Sequence, residues 1–184
     1  MYAIISELNE AAAVQVMHLW RELNRGCGLE GIFNYPTPHF TWFSAAEMDV
    51  ERCKPILEMI AAEGPSFAVH SAGIGLFPGE APVLYLPVVK SPRLMTLHRS
   101  IWSQILPYAQ EANPFHSPND WVPHITLAMR DLTPENLPCA LAAVASEPQK
   151  LTSIVKTVAL VKSENQSTGE TLAVFRLADE GAGL

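Results

Sequence analysis

The order of hydrophobic and polar positions predicts a chain that begins strand, helix, strand, helix. Apolar residues at alternate positions are typical of a strand, and apolar residues three or four apart are typical of a buried helix face. In the first predicted helix, Val16, Met17 and Trp20 share such a face with Ala13. The predicted strands cover residues 2–8 and 39–44, and the predicted helices cover residues 9–25 and 47–64.

A hairpin follows, and the same order of elements then occurs again. Two strand-like runs at 67–77 and 83–89 are separated by turn-forming residues. The remaining chain predicts a helix at 93–112, a polar loop at 113–123, a strand at 124–130, a helix at 134–146 and strand-like runs at 151–163 and 171–177.

Corresponding elements of the two halves start about 85 residues apart, which is too long a period for a solenoid. Neither half is long enough to form a stable hydrophobic core by itself. We therefore predict one domain over residues 1–184, made of two similar lobes packed together, with an internal repeat at approximately 37–90 and 122–178.

Composition supports one folded domain and limits the kind of ligand. The 184 residues are 48% hydrophobic and 17% charged, which is enough apolar material for a core and argues against disorder. No long apolar run and no basic leader are visible, so we expect a soluble, cytoplasmic, non-membrane protein, and we expect a monomer. A net charge of −7 opposes binding along an extended nucleic acid, so any such ligand is expected to be small or held locally.

The three cysteines do not predict a metal site. Cys27, Cys53 and Cys139 are far apart and have no Cys or His partner at the spacing that metal ligands use. We predict buried or unreactive thiols, with no metal and no cofactor.

One short motif occurs twice. Residues 37–42 are TPHFTW and residues 122–127 are VPHITL, so Pro-His-apolar-Thr-apolar is repeated at matched places in the two halves. Composition alone predicts about 0.02 such matches in the chain. Chance is therefore a poor explanation of the pair.

Alternate residues of a strand point to the same face, so His39 projects with Thr41, and His124 projects with Thr126. If the two strands lie side by side across a cleft, the four side chains converge on a site for a small anion. One neutral imidazole could accept a proton while the other, protonated, donates one, and the two hydroxyls could bind phosphate oxygens. Two imidazoles without a carboxylate or thiol make a thin ligand shell for zinc.

The paired motifs resemble the H-x-T motifs of the two-histidine (2H) phosphoesterase superfamily, which includes 2′-5′ RNA ligase-like proteins and cyclic phosphodiesterases. This resemblance covers nearly the whole chain. It implies an α+β, bilobal, duplicated fold with two antiparallel sheets flanked by helices around a central cleft. It also implies that the catalytic residues are His39, Thr41, His124 and Thr126.

Four further residues are candidates for substrate binding, each with a simpler alternative. His116 lies in the loop before the second motif, and loops of this kind carry binding residues. Counting by twos from His124 reaches Arg130, which could contact phosphate or could be a solvated strand end. The same count from His39 reaches Phe43, which, like Tyr85, could stack on a base or could pack in the core.

The leading hypothesis is a metal-independent phosphodiesterase, a hydrolase acting on a nucleotide or an RNA end. It would open a 2′,3′-cyclic phosphate, or cleave or join a 2′-5′ linkage, by paired-histidine acid and base catalysis. The alternative is a nucleotide-binding module that kept the cleft without turnover. A third possibility is a scaffold in which the repeated motif serves strand packing alone.

Overall fold

Four α-helices and ten β-strands form the part of the chain that the computed structural model describes, residues 1–35, 37–147, 150–163 and 169–179. The helices are α1 (Glu10–Cys27), α2 (Val50–Glu63), α3 (Pro92–Ile105) and α4 (Leu137–Ala145). The strands are β1 (Tyr2–Glu7), β2 (His39–Met48), β3 (Phe67–His70), β4 (Gly75–Phe77), β5 (Val83–Pro87), β6 (Ala109–Ala112), β7 (His124–Ala128), β8 (Thr152–Val155), β9 (Thr157–Lys162) and β10 (Glu170–Arg176).

Local sequence fixes the ends of the first helices. The Asn9 side chain accepts a hydrogen bond from the main-chain N–H of Ala12, and Asp49 and Ser91 cap α2 and α3 in the same way. Helix α1 continues two residues beyond the predicted end at residue 25 and is capped by Gly28, whose φ of 70° suits glycine. Within the described ranges, no helix has the length and apolar character needed to cross a membrane.

The strands form three antiparallel sheets in the described part of the chain. One has five strands in the order β10-β9-β1-β2-β6, a second has the order β4-β5-β7, and β3 pairs with β8. Strand β2, which carries the first motif, therefore shares a sheet with the hairpin of the second half, and β7 shares one with the hairpin of the first half. The predicted α+β class with antiparallel sheets is confirmed.

Two groups of helices cover these sheets. Helices α2 and α3 pack together against the five-stranded sheet, and α1 and α4 pack together beside β7 and β8. Large aromatic side chains fill the core beneath the two motif strands, and the fully buried ones include Phe40, Trp42, Phe43 and Trp121. Close packing of these aromatic side chains therefore restricts the movement of the two motif strands.

The predicted helix at 93–112 is too long. Helix α3 stops at Ile105, and a short 3-10 turn, Leu106–Tyr108, leads into strand β6. Pro107 lacks an N–H and cannot continue the helical hydrogen bonds. Residues 109–112 instead pair with the outer edge of β2, a partner that the local sequence does not reveal.

Two predicted strand-like runs each divide into two strands. Residues 67–77 become β3 and β4, separated by Gly73, whose φ of 73° turns the chain out of one sheet and into another. Residues 151–163 become β8 and β9, which also belong to different sheets. Both runs are apolar enough to be strands throughout, so the hydrophobic pattern does not reveal the change of partner.

The expectation of three unreactive thiols is wrong for two of them. Cys27, the last residue of α1, and Cys139 in α4 form a disulfide across 112 residues of sequence. The packing of α1 against α4 brings them together. Cys53 is a buried free thiol, and burial, together with the nearby Asp49 carboxylate, raises its pKa to about 11.

Candidate functional site

The two PHxT motifs open strands β2 and β7, which belong to different sheets and contact each other. Tryptophan indoles hold both strands in the same manner. The Trp121 N–H donates to the carbonyl oxygen of Thr41 at 3.0 Å, and the Trp20 N–H donates to the carbonyl oxygen of Thr126 at 3.0 Å. Each threonine main chain is therefore fixed by an aromatic residue from outside its own strand.

Both motif histidines use one ring nitrogen in the same local hydrogen bond. His39 Nδ1 lies 2.9 Å from the carbonyl oxygen of Thr37, and His124 Nδ1 lies 2.7 Å from the carbonyl oxygen of Val122. A carbonyl only accepts, so Nδ1 carries the proton in each ring. In a neutral imidazole this leaves Nε2 as the basic nitrogen, which is the arrangement that a proton-transfer residue needs.

The surroundings of the two imidazoles differ. Burial lowers the pKa of His39, while the Thr37 carbonyl and the Glu7 carboxylate act in the opposite direction. Burial also lowers the pKa of His124; the Val122 carbonyl opposes this shift, and the charge of His39 adds to it. The two rings therefore influence each other's protonation, and a doubly protonated pair is disfavoured.

A cleft of about 280 Å³ runs along the motif strands. Its walls include three of the four motif side chains, namely His39, Thr41 and Thr126. His124 is not part of the lining, although it lies on the same strand two residues from Thr126 and its charge acts on His116, which does line the cleft. The structure thus brings His39 and both threonines into one cavity, with His124 beside it.

A sequence model of the 2′-5′ RNA ligase superfamily matches residues 11–167. The chain belongs to the 2′-5′ RNA ligase superfamily. The resemblance of the paired motifs to the 2H phosphoesterases is confirmed.

Solved structures with the same fold cover almost the entire chain. The TT0787 protein of Thermus thermophilus has a TM-score of 0.68 at 18% identity, covering 97% of this chain and 98% of its own. LigT of E. coli complexed with 3′-AMP has a TM-score of 0.63 at 19% identity, covering 96% and 97%. Usb1 of Kluyveromyces marxianus has a TM-score of 0.55 at 12% identity, covering 93% and 96%. No curated protein sequence matches the chain significantly.

Strand β2 of this 2′-5′ RNA ligase superfamily member contains a β-bulge, so Phe43 does not follow Thr41 on the same strand face as predicted. The register shifts so that Ile5 faces Thr41 while Ile4 faces Phe43. One residue of β2 is therefore extra, and the alternation that points Thr41 into the cleft is interrupted. Phe43 is fully buried, with its ring centroid 5.3 Å from that of Trp102, so it packs in the core.

A second bulge lies at the matching place in β7. The register there shifts so that Tyr85 faces Thr126 while Leu84 faces Ala128. The cleft lining then includes the residue three positions after each motif threonine, which is Ser44 in β2 and Met129 just beyond the end of β7. Counting by twos from the histidines predicts different residues, because it assumes an unbroken strand.

Arg130 lies next to the cleft, but it does not lie on the same strand face as His124 and Thr126, as the sequence predicted. Strand β7 ends at Ala128, and Arg130 has a φ of 72°, so it does not continue the strand face. Its guanidinium lies over the Tyr35 ring at 5.3 Å and donates to the Tyr35 hydroxyl at 3.4 Å. The Tyr35 ring in turn lies 5.8 Å from that of His39. Arg130 therefore approaches the first histidine through Tyr35.

Tyr85 supports the second histidine. Its ring stacks on Phe77 at 4.2 Å and lies 5.1 Å from the His124 ring, and only 8% of the residue is exposed. A Cβ at Gly75 would lie 2.2 Å from the Tyr85 ring, so glycine is needed at that position. Of the two alternatives that the sequence left open for Tyr85, this packing corresponds to the core-packing one, in which Tyr85 supports the His124 ring.

His116 reaches the cleft from the loop before β7. Its Nδ1 lies 3.1 Å from Ser44 Oγ, and its carbonyl oxygen is 3.0 Å from Nε2 of the fully buried His98. Burial, with a smaller contribution from the charges of His124 and His98, lowers the pKa of His116 to about 4. His116 is therefore a neutral polar group at neutral pH.

Sequence reasoning missed several residues that shape this site. Ser44 and Tyr35 line the cleft, and Trp20 and Trp121 hold the threonine carbonyls. Trp20 was predicted only as part of a helix face, and no local pattern reveals a hydrogen bond to a strand over 100 residues away. Within the described ranges, no group of three or more His, Cys, Asp or Glu side chains is arranged to hold a metal ion.

Proposed function

We propose that the protein is a metal-independent phosphodiesterase that acts on a nucleotide or an RNA end. Its reaction would be opening of a 2′,3′-cyclic phosphate or cleavage of a 2′-5′ linkage. The observation that carries the proposal is the matched pair of imidazoles, each with Nδ1 bonded to a carbonyl and Nε2 left for proton transfer. E. coli LigT is complexed with 3′-AMP in one structure and with phosphate in another, which supports a small phosphate-bearing ligand here.

The proposed step needs one neutral and one protonated imidazole. The neutral ring accepts a proton from water through Nε2 as the water oxygen forms a bond to phosphorus. The bond from phosphorus to the departing ribose oxygen breaks, and that oxygen takes the proton from Nε2 of the second ring. The hydroxyls of Thr41 and Thr126 donate to the non-bridging oxygens, which hold the developing charge.

We assign the protonated ring to His39. The Glu7 carboxylate favours the charged form of His39, and the Thr37 hydroxyl, which donates to Glu7 at 2.8 Å, holds this carboxylate. His124 instead lies against the uncharged rings of Phe77 and Tyr85, and the charge of His39 favours its neutral form. On this assignment His39 is the general acid and His124 is the general base.

Mutation of the four motif residues tests the proposal on 2′,3′-cyclic nucleotides. His39→Ala and His124→Ala are each expected to lower kcat/KM by about 10²- to 10⁴-fold, and the double variant should lose much less than the product of the two. Thr41→Val and Thr126→Val remove one phosphate donor each and should lose at most about 10²- to 10³-fold. Wild-type rates in folded histidine variants would exclude this function, and nucleotide binding without any product would favour a binding module.

A substrate with a good leaving group separates the two histidine roles. A nucleoside p-nitrophenyl phosphate releases p-nitrophenolate, which needs no proton from the enzyme. His39→Ala should therefore lose much less activity on this substrate than on a cyclic nucleotide, whereas His124→Ala should lose as much on both. The reverse pattern would exchange the acid and base assignments.

A further inference from the structure

The ring of the first motif histidine is held by the connecting segment, which is residues 28–35 and 37 between α1 and β2. The Tyr35 ring lies 5.8 Å from the His39 ring, and the Thr37 carbonyl oxygen lies 2.9 Å from His39 Nδ1. Thr37 also donates its hydroxyl to the Glu7 carboxylate. The orientation of His39 therefore depends on where this segment lies.

The connecting segment is attached to the chain that follows the other motif strand. Asp131 lies shortly after the end of β7, and its Oδ2 accepts hydrogen bonds from the main-chain N–H groups of Glu30 at 2.5 Å and Gly31 at 2.8 Å. Hydrogen bonds to a carboxylate are roughly twice as strong as those between neutral groups. This side chain therefore ties the segment that holds the first histidine to the part of the chain that carries the second.

The segment approaches Asp131 so closely that glycine is needed at position 31. A Cβ on Gly31 would lie 2.7 Å from Asp131 Oδ1 and closer still to the carbonyl oxygen of Met129. That carbonyl belongs to the main chain and cannot rotate away as the end of a flexible side chain can. A larger residue at position 31 would therefore push the connecting segment away from Asp131.

Asp131 is itself firmly held, and its side chain bonds to the connecting segment. Its main-chain N–H donates to the Met129 carbonyl at 2.9 Å, and its carbonyl accepts from the Asn136 side chain at 2.8 Å. The buried Oδ1 has no hydrogen-bond partner among the residues that the structure describes. In this part of the chain, the carboxylate is therefore an anchor whose bonds, both through Oδ2, go to the connecting segment.

We propose that Asp131 is a positioning residue for proton transfer, because it fixes the connecting segment whose Tyr35 ring and Thr37 carbonyl hold His39. The inference rests on the proposed function, since it takes His39 to exchange a proton with the substrate. Asp131 is not part of the cleft lining, so it acts through the segment and not on the ligand.

Steady-state kinetics of three variants test this role on a 2′,3′-cyclic nucleotide. Asp131→Ala removes the carboxylate, whereas Gly31→Ala keeps it and displaces the segment. Both should lower kcat about 10-fold or more, as expected for a misplaced catalytic group, with little change in KM. Asp131→Asn keeps one oxygen that can accept from the two N–H groups and should retain most of the activity. Wild-type kcat in folded Asp131→Ala and Gly31→Ala would overturn the inference.

A double-mutant cycle shows whether Asp131 acts through His39. In the His39→Ala background, Asp131→Ala should cost less than about two-fold, because an imidazole that is absent cannot be misplaced. A further loss of about 10-fold in that background would show that Asp131 acts elsewhere. On a nucleoside p-nitrophenyl phosphate, Asp131→Ala should follow the pattern of His39→Ala and not that of His124→Ala.

Asp49→Ala is the matched control. The Asp49 side chain also accepts a main-chain N–H, from Arg52, but it lies at the opposite end of β2 from His39. The two alanine variants lose comparable hydrogen bonds, so urea unfolding should show similar destabilisation. If Asp49→Ala lowers kcat as much as Asp131→Ala does, the loss reflects stability alone and the positioning role is excluded.

Nuclear magnetic resonance of the histidine rings separates this inference from the proposed function, because it needs no turnover. The His39 ring resonances should move in Asp131→Ala and Gly31→Ala, because the Tyr35 ring beside them is displaced, and those of His124 should stay in place. This result in a protein that hydrolyses no cyclic nucleotide would uphold the positioning and reject the phosphodiesterase. Hydrolysis by the wild type, with unmoved His39 resonances and unchanged rates in both variants, would uphold the phosphodiesterase and reject the positioning.

Discussion

Replacement of Trp121 by phenylalanine tests how the first motif strand is held. The Trp121 indole is 1% exposed, stacks on the His98 ring at 3.8 Å and on the Trp42 ring at 5.5 Å, and donates its N–H to the Thr41 carbonyl. Phenylalanine keeps part of the stacking and has no N–H. The Trp121→Phe variant therefore leaves the Thr41 carbonyl without its partner inside the core.

The expected cost comes from two contributions. A buried carbonyl without a partner costs about 1–3 kcal/mol, and the smaller ring loses about 1 kcal/mol or more of packing. A total of about 2–4 kcal/mol corresponds to a fall in Tm of roughly 4–16 °C for a domain of this size. A shift of the Thr41 main chain also misplaces a phosphate donor, so kcat/KM on a cyclic nucleotide should fall about 10-fold.

Urea unfolding and steady-state kinetics measure both effects, with Trp102→Phe as the matched control. Trp102 is partly buried and packs on Phe43, away from the cleft, so this variant makes the same indole-to-phenyl change without touching the Thr41 carbonyl and should leave kcat/KM unchanged. Trp20→Phe, which removes the donor to the Thr126 carbonyl, should behave like Trp121→Phe. If Trp121→Phe matches Trp102→Phe in both stability and activity, the indole bond does not position Thr41.

Four other measurements address the disulfide, the buried histidines and the chemistry. Reduction of the Cys27–Cys139 bond should destabilise the fold by about 2–4 kcal/mol, so an unchanged Tm under reductant would contradict its structural role. The profile of kcat/KM against pH should be a bell centred below about pH 6.5, because burial lowers the pKa of both His39 and His124; a centre above about pH 7 would contradict this reasoning. Burial lowers the pKa of His98 from 6.5 to about 4. The free energy of unfolding should therefore be fully retained above pH 6.5 and should fall by up to about 3 kcal/mol as the pH falls to 4, because the unfolded chain takes up the proton first. Urea midpoints should show this decline in the wild type, and part of the decline should be absent in His98→Gln. EDTA should leave hydrolysis unchanged within about two-fold, and activity lost with chelator and restored by a divalent ion would indicate a metal enzyme.

The sequence by itself determined the features that depend on a few neighbouring residues. Strand alternation placed His39 and Thr41 on one face of their strand, and the repeat of the motif identified His124 and Thr126 as a matching pair. The cap at Asn9, the first residue of the first predicted helix, also follows a local rule. Backbone geometry within a strand or a helix turn is enough to explain these features, so no tertiary structure was needed to predict them.

Only the tertiary structure decided which residues complete the site. The bulge in β2 leaves Ser44, and not Phe43, in the cleft lining, and Met129 lines the cleft after the bulge in β7. A bulge depends on the register between two strands, so the local sequence does not reveal it. The exchange of hairpins between the halves and the pairing of Cys27 with Cys139 likewise depend on partners far away in sequence. Alternation and hydrophobic period record which side of an element is buried, but they do not record which distant element covers it.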